Sequence, residues 1–250
     1  MMAKVAVVIP AAGKGERFEG HENKVFAKLD GRPVLMRTIE LFINREDVCQ
    51  TILVVAASDL EQVKRQYGAN LSFMGVQLVE GGPRRCDSVA AALAAIKPEV
   101  ELVAVHDAVR PCTTQAMIDA VFAEAAKTAA AILAAPLHGT IKRVSETNLI
   151  EQTEDRTGLY EAQTPQVFRP DVLQAAYEQY NAESADTDEP LITDDAQLVE
   201  LTGHAVSVVE SDPSNLKITT REDLALANAI LKSRPSRPTK AFGAFEEAQW

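Results

Sequence analysis

The residues best equipped for chemistry stand in four short loops, each following an apolar run. The first begins Pro10-Ala11-Ala12-Gly13-Lys14-Gly15-Glu16-Arg17 and continues to Lys24 and Lys28. Ala11, Ala12, Gly13 and Gly15 carry little or no side chain, so backbone N–H groups there can approach a phosphate or a flat base. Arg17, Lys24 and Lys28 bring positive charge to the same stretch. Two familiar phosphate loops are excluded by spacing: GxxxxGK[ST] is absent, and a dinucleotide fingerprint needs glycine where Phe18 stands. The acidic residue that a dinucleotide fold places after its second strand is missing too, because Ala56-Ala57-Ser58 occupies that place.

The second loop, VHDAVRP, ends another apolar run. Asp107 offers hard carboxylate oxygen to Mg²⁺, an ion that takes one or two protein carboxylates and completes its shell with water and substrate phosphate. Arg110 either contacts phosphate or orients Asp107. His21, His106, His138 and His204 show no zinc-ligand spacing. In the third loop, EGGPRRCDSV, Gly81 and Gly82 admit a flat base and Ser88 supplies a hydroxyl for its edge. The fourth, SNLKITTREDL, puts Lys217 in an expected short strand before a helix. Singly these features have ordinary explanations: a tight turn, an ion pair, a solvated lysine. Together they point to phosphate chemistry.

Elements that alternate in type must position these loops. Val5 to Ile9 reads as a buried parallel strand. A helix is expected over Pro33 to Asn44, with Leu35, Ile39 and Phe42 on one face, then a strand over Thr51 to Ala56. Ser58 and Glu61 form a capping-box pattern for a helix that Gly68 ends. A strand over Gly75 to Val79 precedes a helix capped by Asp87 or Ser88 and running to Ile96. Leu102 to His106 and Ala130 to Ala135 are strands flanking a helix over Thr114 to Thr128. Helices follow over Asp171 to Tyr180 and Asp194 to Leu201, a strand over Val206 to Val209, and a last helix from Thr220 with Asp223 to Leu231. The alternation predicts an α/β fold, a mostly parallel sheet with helices on both faces. Between Pro136 and Pro165 the rhythm breaks into short β-like pieces. These suggest a projecting β-arm, which lacks a core of its own and so calls for dimerisation. Residues 1–232 form one domain with the arm at about 137–160, and 233–250 a flexible tail.

Composition narrows the function. The chain of 250 residues is 46% hydrophobic and 24% charged, ordinary for a globular protein. A formal charge of −11 repels polyanions, arguing against nucleic acid and anionic membranes as partners, so a phosphate site must be locally basic. Three cysteines without metal-ligand spacing fit a reducing cytosol, and no apolar run is long enough to span a bilayer.

In order along the chain, PAAGKGERF, NKVFAKLDGRPVL, GGPRRCDSV, VHDAVRP, AAPLHGTIKRV, TPQVF, ITDDA and NLKITTREDL resemble the 2-C-methyl-D-erythritol 4-phosphate cytidylyltransferase family, over about Val5 to Leu231. The resemblance implies a Rossmann-like sheet, a homodimer with exchanged β-arms, and transfer of CMP from CTP to the sugar-alcohol phosphate with release of pyrophosphate. It implies that Arg17 and Lys24 stabilise the transition state and that Lys217 and Arg156 position the acceptor. Thr140, Thr164 and Thr193 become further acceptor contacts, Asp107 the Mg²⁺ ligand and Ser88 the cytosine reader. Asn23 stands before Lys24 where the family commonly has proline. A cytidylyltransferase for ribitol 5-phosphate would share the nucleotide loops, and a non-catalytic nucleotide-binding module is the reading from another class.

Overall fold

The computed structural model describes residues 2–13, 23–183 and 192–234. It starts with β1 (Val5–Pro10), whose alternation divides the interior: Val5, Val7 and Ile9 enter one buried cluster, while Ala6 and Val8 enter another on the opposite face. A small hairpin, β2 (Lys28–Leu29) and β3 (Arg32–Pro33), turns through Asp30 and Gly31, both at positive φ. Then come α1 (Val34–Ile39), β4 (Val48–Ala56), α2 (Ala57–Phe73), β5 (Val76–Gly81), α3 (Arg85–Leu93), β6 (Leu102–Val105), α4 (Gln115–Thr128) and β7 (Ala130–Pro136). The arm holds β8 (Ile141–Val144) and β9 (Ile150–Glu154), and the chain closes with β10 (Tyr160–Phe168), α5 (Pro170–Glu183), α6 (Asp195–Leu201), β11 (Ser207–Glu210) and α7 (Arg221–Ser233).

The main sheet runs β11-β7-β10-β6-β1-β4-β5. Its pairs are parallel except those of β10, which is antiparallel to both β6 and β7. Apolar faces of α1, α2, α4 and α7 pack into the first cluster, and those of α3, α5 and α6 into the second. The α/β architecture expected from the alternation is therefore present, including helices on both faces.

Several boundaries differ from expectation. The first helix stops at Ile39, where Leu41 and Phe42 donate i→i+3 bonds to Thr38 and Ile39 and tighten the chain into turns; Leu35, Ile39 and Phe42 still share the buried face. Ser58 and Glu61 form no capping box, since α2 begins at Ala57 and the Ser58 hydroxyl donates to Asp59. Gly68 lies inside α2; the terminating glycine is Gly75, at φ +68°. Arg84, rather than Asp87 or Ser88, stands at the N-cap of α3, with its N–H donating to the Asp87 carboxylate three residues on. Thr220 and Asp223 do form the capping box expected at α7.

Just past the arm, where the sequence reading expected no strand, the chain forms a core strand. β10 buries Gln163, Thr164 and Gln166 along with Val167 and Phe168. The separate two-stranded ladder of β8 and β9 matches the projecting arm and leaves Val144, Leu149, Ile150, Leu159 and Tyr160 exposed. Of the tail, only Ser233 and Arg234 are described, so its expected flexibility lies outside the described residues.

Candidate active site

The chain moves from β1 outward to β4 and β5, then returns to place β6 on the other side of β1. Loops leaving β1 and β6 consequently diverge, and open α/β sheets bind ligands in such a crevice at the C-terminal strand ends. A cavity lies there. Its walls are Pro10 to Gly13 after β1, Lys24 and Val25, Gly82 to Arg85 with Ser88 after β5, Asp107 to Val109 after β6, and Lys217.

Eight sequence-predicted residues thus converge: Ala11, Ala12, Gly13, Lys24, Gly82, Ser88, Asp107 and Lys217. Gly15 and Arg17 lie outside the described residues. Asn23 links the wall segments, its side-chain amide donating to the Gly13 carbonyl at 3.2 Å and to Asp59 Oδ2 at 3.4 Å. It braces the approach to Lys24 with side-chain hydrogen bonds in place of a proline ring. Gly82 is required by packing, because a Cβ there would stand 2.4 Å from Asp87 Cβ. Ser88 is buried and donates to the Arg84 carbonyl at 3.1 Å, so its oxygen retains lone pairs for a further donor.

Asp107 is the electrostatic centre. Lys217 Nζ and Arg110 Nε approach its Oδ2 at 3.0 and 3.3 Å, while Arg85 Nε stands 3.7 Å from Oδ1. Burial pushes this carboxyl up, but Lys217, Arg85 and Arg110 together outweigh it and hold the acid well below the usual carboxylate range. It is ionised at any physiological pH.

The floor beneath is fully hydrogen-bonded. Burial lowers the His106 pKa to about 4, leaving the ring neutral. The Arg110 carbonyl can only accept, so His106 Nε2 carries the proton assigned to that 3.2 Å contact, and Nδ1 accepts from the Thr164 hydroxyl at 3.1 Å. Thr164 Oγ1 in turn accepts from the Asp107 backbone N–H at 3.0 Å. Thr164, expected as an acceptor contact, is instead buried scaffold that aims Asp107. Arg110 takes the orienting role: it is buried and spends its other hydrogen bond on the Asn215 carbonyl at 2.7 Å.

Lys217 is not in a strand, contrary to expectation. Side-chain bonds fix its backbone instead. Buried Asn215 donates to Gln163 and the Thr164 carbonyl and accepts from Thr113, and Ile218 N–H donates to the Val109 carbonyl. Lys217, between these two anchors, extends to Asp107.

Besides buried Arg110 and Thr164, three further predicted residues do not join the cavity wall. Thr140 and Arg156 are exposed on the arm, where Arg156 donates to the His138 carbonyl. Thr193 is exposed and bonds Gln197 at the start of α6. The sequence reading missed Arg85, a cation in the wall paired with fully buried Asp195 at 2.7 Å. Its signal was an acid on an apolar face: Asp195, Leu198 and Val199 share helical spacing.

For Mg²⁺, the donor set is a lone carboxylate. Among the described residues no group of three His, Cys, Asp or Glu side chains could hold a metal unaided. That fits an ion completed largely by substrate phosphate and water.

Comparison with known proteins places this geometry. The sequence profile of the 2-C-methyl-D-erythritol 4-phosphate cytidylyltransferase family matches residues 5–233. The enzyme of that name from Rhodopirellula baltica is 44% identical over 240 residues, covering 92% of this chain and 95% of the relative. That of Symbiobacterium thermophilum is 41% identical over 232 residues, covering 93% and 94%. Among solved structures, 4-diphosphocytidyl-2C-methyl-D-erythritol synthase from Anaerococcus prevotii superposes with a TM-score of 0.77 at 30% identity, covering 93% of this chain and all of that one. With a matched profile spanning nearly the whole chain and relatives above 40% identity, the chain belongs to the 2-C-methyl-D-erythritol 4-phosphate cytidylyltransferase family.

Proposed function

We propose that the protein transfers CMP from CTP to 2-C-methyl-D-erythritol 4-phosphate, releasing pyrophosphate, with Mg²⁺ held at Asp107. The observation that carries this reading is the meeting of Lys24, Asp107 and Lys217, from three remote segments, at one crevice beside small-residue loops. An acceptor phosphate oxygen is already nucleophilic, so no general base is required. It attacks the α-phosphorus, the bond from that phosphorus to the oxygen bridging to the β-phosphate breaks, and pyrophosphate leaves with the electron pair.

The obstacle is repulsion between two polyanions. Lys24 and Lys217, with Arg17, supply fixed positive charge to the phosphates as negative charge builds in the transition state. Mg²⁺, when bound, would neutralise phosphate charge and align the triphosphate. Asp107 Oδ1 is the oxygen available to it, because Oδ2 is engaged by Lys217 and Arg110. The Ala11 to Gly13 backbone and the Gly82 to Ser88 loop form the nucleotide side, with Ser88 at the base.

The arm supports a homodimer. A lone two-stranded ladder with exposed Val144, Ile150 and, in its connecting turn, Leu149 is not independently stable in water, and the neighbouring Thr140 and Arg156 do not line the cavity. In the exchanged arrangement the arm of one copy reaches the cavity of the other, bringing Arg156 to the acceptor.

The test is pyrophosphate release from CTP with 2-C-methyl-D-erythritol 4-phosphate or ribitol 5-phosphate, with and without Mg²⁺. Preferred turnover of the former, lost on chelation and restored by Mg²⁺, is expected. Faster turnover of ribitol 5-phosphate would reassign the acceptor, and CTP binding without turnover of either would reject the enzymatic reading.

A further inference from the structure

Arg85 stands at the cavity wall with surroundings unlike those of Lys217 and Arg110. Its Nη2 lies 2.7 Å from Asp195 Oδ2, whereas its Nε lies 3.7 Å from Asp107 Oδ1, beyond hydrogen-bond reach. Asp107 is thus gripped by the other two cations, and Arg85 remains beside it without being consumed by it. Asp195, fully buried on α6, is itself fastened: Tyr177 donates to Oδ1 at 2.6 Å, and its backbone N–H donates to Gln166 at 3.0 Å. Its Oδ2 meets no aligned hydrogen-bond donor among the described residues, so the close approach of Arg85 there is an ion pair off the hydrogen-bond line.

A buried carboxylate with this placement fixes the guanidinium from behind. Arg85 has five N–H donors, and the part of its side chain that is exposed, 28%, belongs to a residue lining the cavity. We propose that Arg85 is a further phosphate-binding residue, with Asp195 and Tyr177 as its positioning residues. The planar fork suits two oxygens of one phosphate group. The inference deepens the phosphoryl-transfer reading above and rests on it for the ligand, which is a phosphate of the nucleoside triphosphate or of the acceptor.

Arg85→Met alone strands Asp195 as a buried charge without its cation, which is destabilising in itself. The paired variant R85M/D195N removes both charges, so it is the one to measure, by thermal melting and by separate binding titrations of CTP and of 2-C-methyl-D-erythritol 4-phosphate. Melting near wild type and binding about 10- to 100-fold weaker are expected, the scale of one charge-assisted hydrogen bond. Weakened CTP binding assigns Arg85 to the triphosphate; weakened acceptor binding alone assigns it to the acceptor phosphate. Tyr177→Phe, which loosens Asp195 without altering the cavity, should weaken the same titration by a smaller factor. Were the paired variant not to fold, Arg85→Lys keeps the charge and loses the fork, with the same loss expected. A folded variant that binds both ligands as wild type does would overturn the proposal. A wild type that binds but turns over neither acceptor would instead sink the functional reading, while the titrations still judge Arg85.

Discussion

Replacing Lys217 with methionine separates chemistry from stability. Methionine retains most of the aliphatic length and removes only the ammonium. Lys217 is 42% exposed on its side chain and meets Asp107 at 3.0 Å, so water screens the pair and its contribution to folding is about 1 kcal/mol or less. Asp107 also keeps Arg110 at 3.3 Å and Arg85 at 3.7 Å, which leaves it compensated after the change. A chain of this size should then melt within about 4 °C of wild type. Turnover should respond very differently. Loss of a fixed donor to transition-state charge costs about 2.7–4 kcal/mol, or roughly 10²–10³ in kcat. Pyrophosphate release under saturating substrates, set beside a melting curve of the same preparation, measures both. Turnover within tenfold of wild type would refute the role given to Lys217, and a collapsed melting temperature would show that the lysine holds the fold.

Three further outcomes follow from the geometry. Mixing inactive Lys217→Met and Arg156→Ala proteins and letting dimers exchange should restore about one quarter of wild-type activity, because half the dimers are mixed and each contains one intact site; no recovery would reject the exchanged arm. Gly82→Ala should cost about 1–3 kcal/mol in urea unfolding, since the new Cβ falls 2.4 Å from Asp87 Cβ, and unchanged stability would mean that the loop relaxes freely. His106 is depressed from 6.5 to about 4 by burial, so between these values the unfolded chain binds the proton and the folded chain does not. Stability should therefore fall by about 3 kcal/mol as pH drops through that window; urea midpoints that stay level from pH 6.5 to 4.5 would contradict a buried neutral ring.

What the sequence made legible was governed by local signals strong enough to survive burial. β1 and the loop after it were readable because five apolar residues run directly into small ones, and Asp107 because it follows a second such run. β10 was not, since its interior positions are Gln163, Thr164 and Gln166, which earn burial only through partners such as Ser211, His106 and Asp194. No window of sequence contains those partners. The strand expected at Lys217 failed for a related reason: the segment is held by Asn215 and Ile218 to Thr113, Gln163 and Val109 rather than by a ladder. Ser58 and Glu61 had the right spacing for a cap, yet α2 follows β4 so directly that Ala56 takes the capping position. Arg85 was hidden as one of two adjacent arginines. Arg84 lies over the Tyr180 ring on the surface, and only the placement of α6 distinguishes its neighbour.

The same distant contacts reconcile a phosphate site with an acidic protein. At −11 overall, the chain's field opposes approach of a triphosphate, so the crevice must present positive charge at short range. Packing Arg85, Arg110 and Lys217 together without compensation would set three like charges against one another in a poorly hydrated place. Asp107 and Asp195 relieve that repulsion, and three cations against two carboxylates leave one net positive charge in the cluster. The two acids do so unequally. Asp195 is sealed in the core and cannot exchange its partner, whereas Asp107 borders the cavity and shares Lys217 with whatever enters. In the proposed reaction a phosphate would compete with Asp107 for Lys217, and Asp107 would turn to the Mg²⁺ proposed to accompany the triphosphate. Exchange of partners would then let these cations serve incoming phosphates without the crevice having to hold a large uncompensated charge of its own.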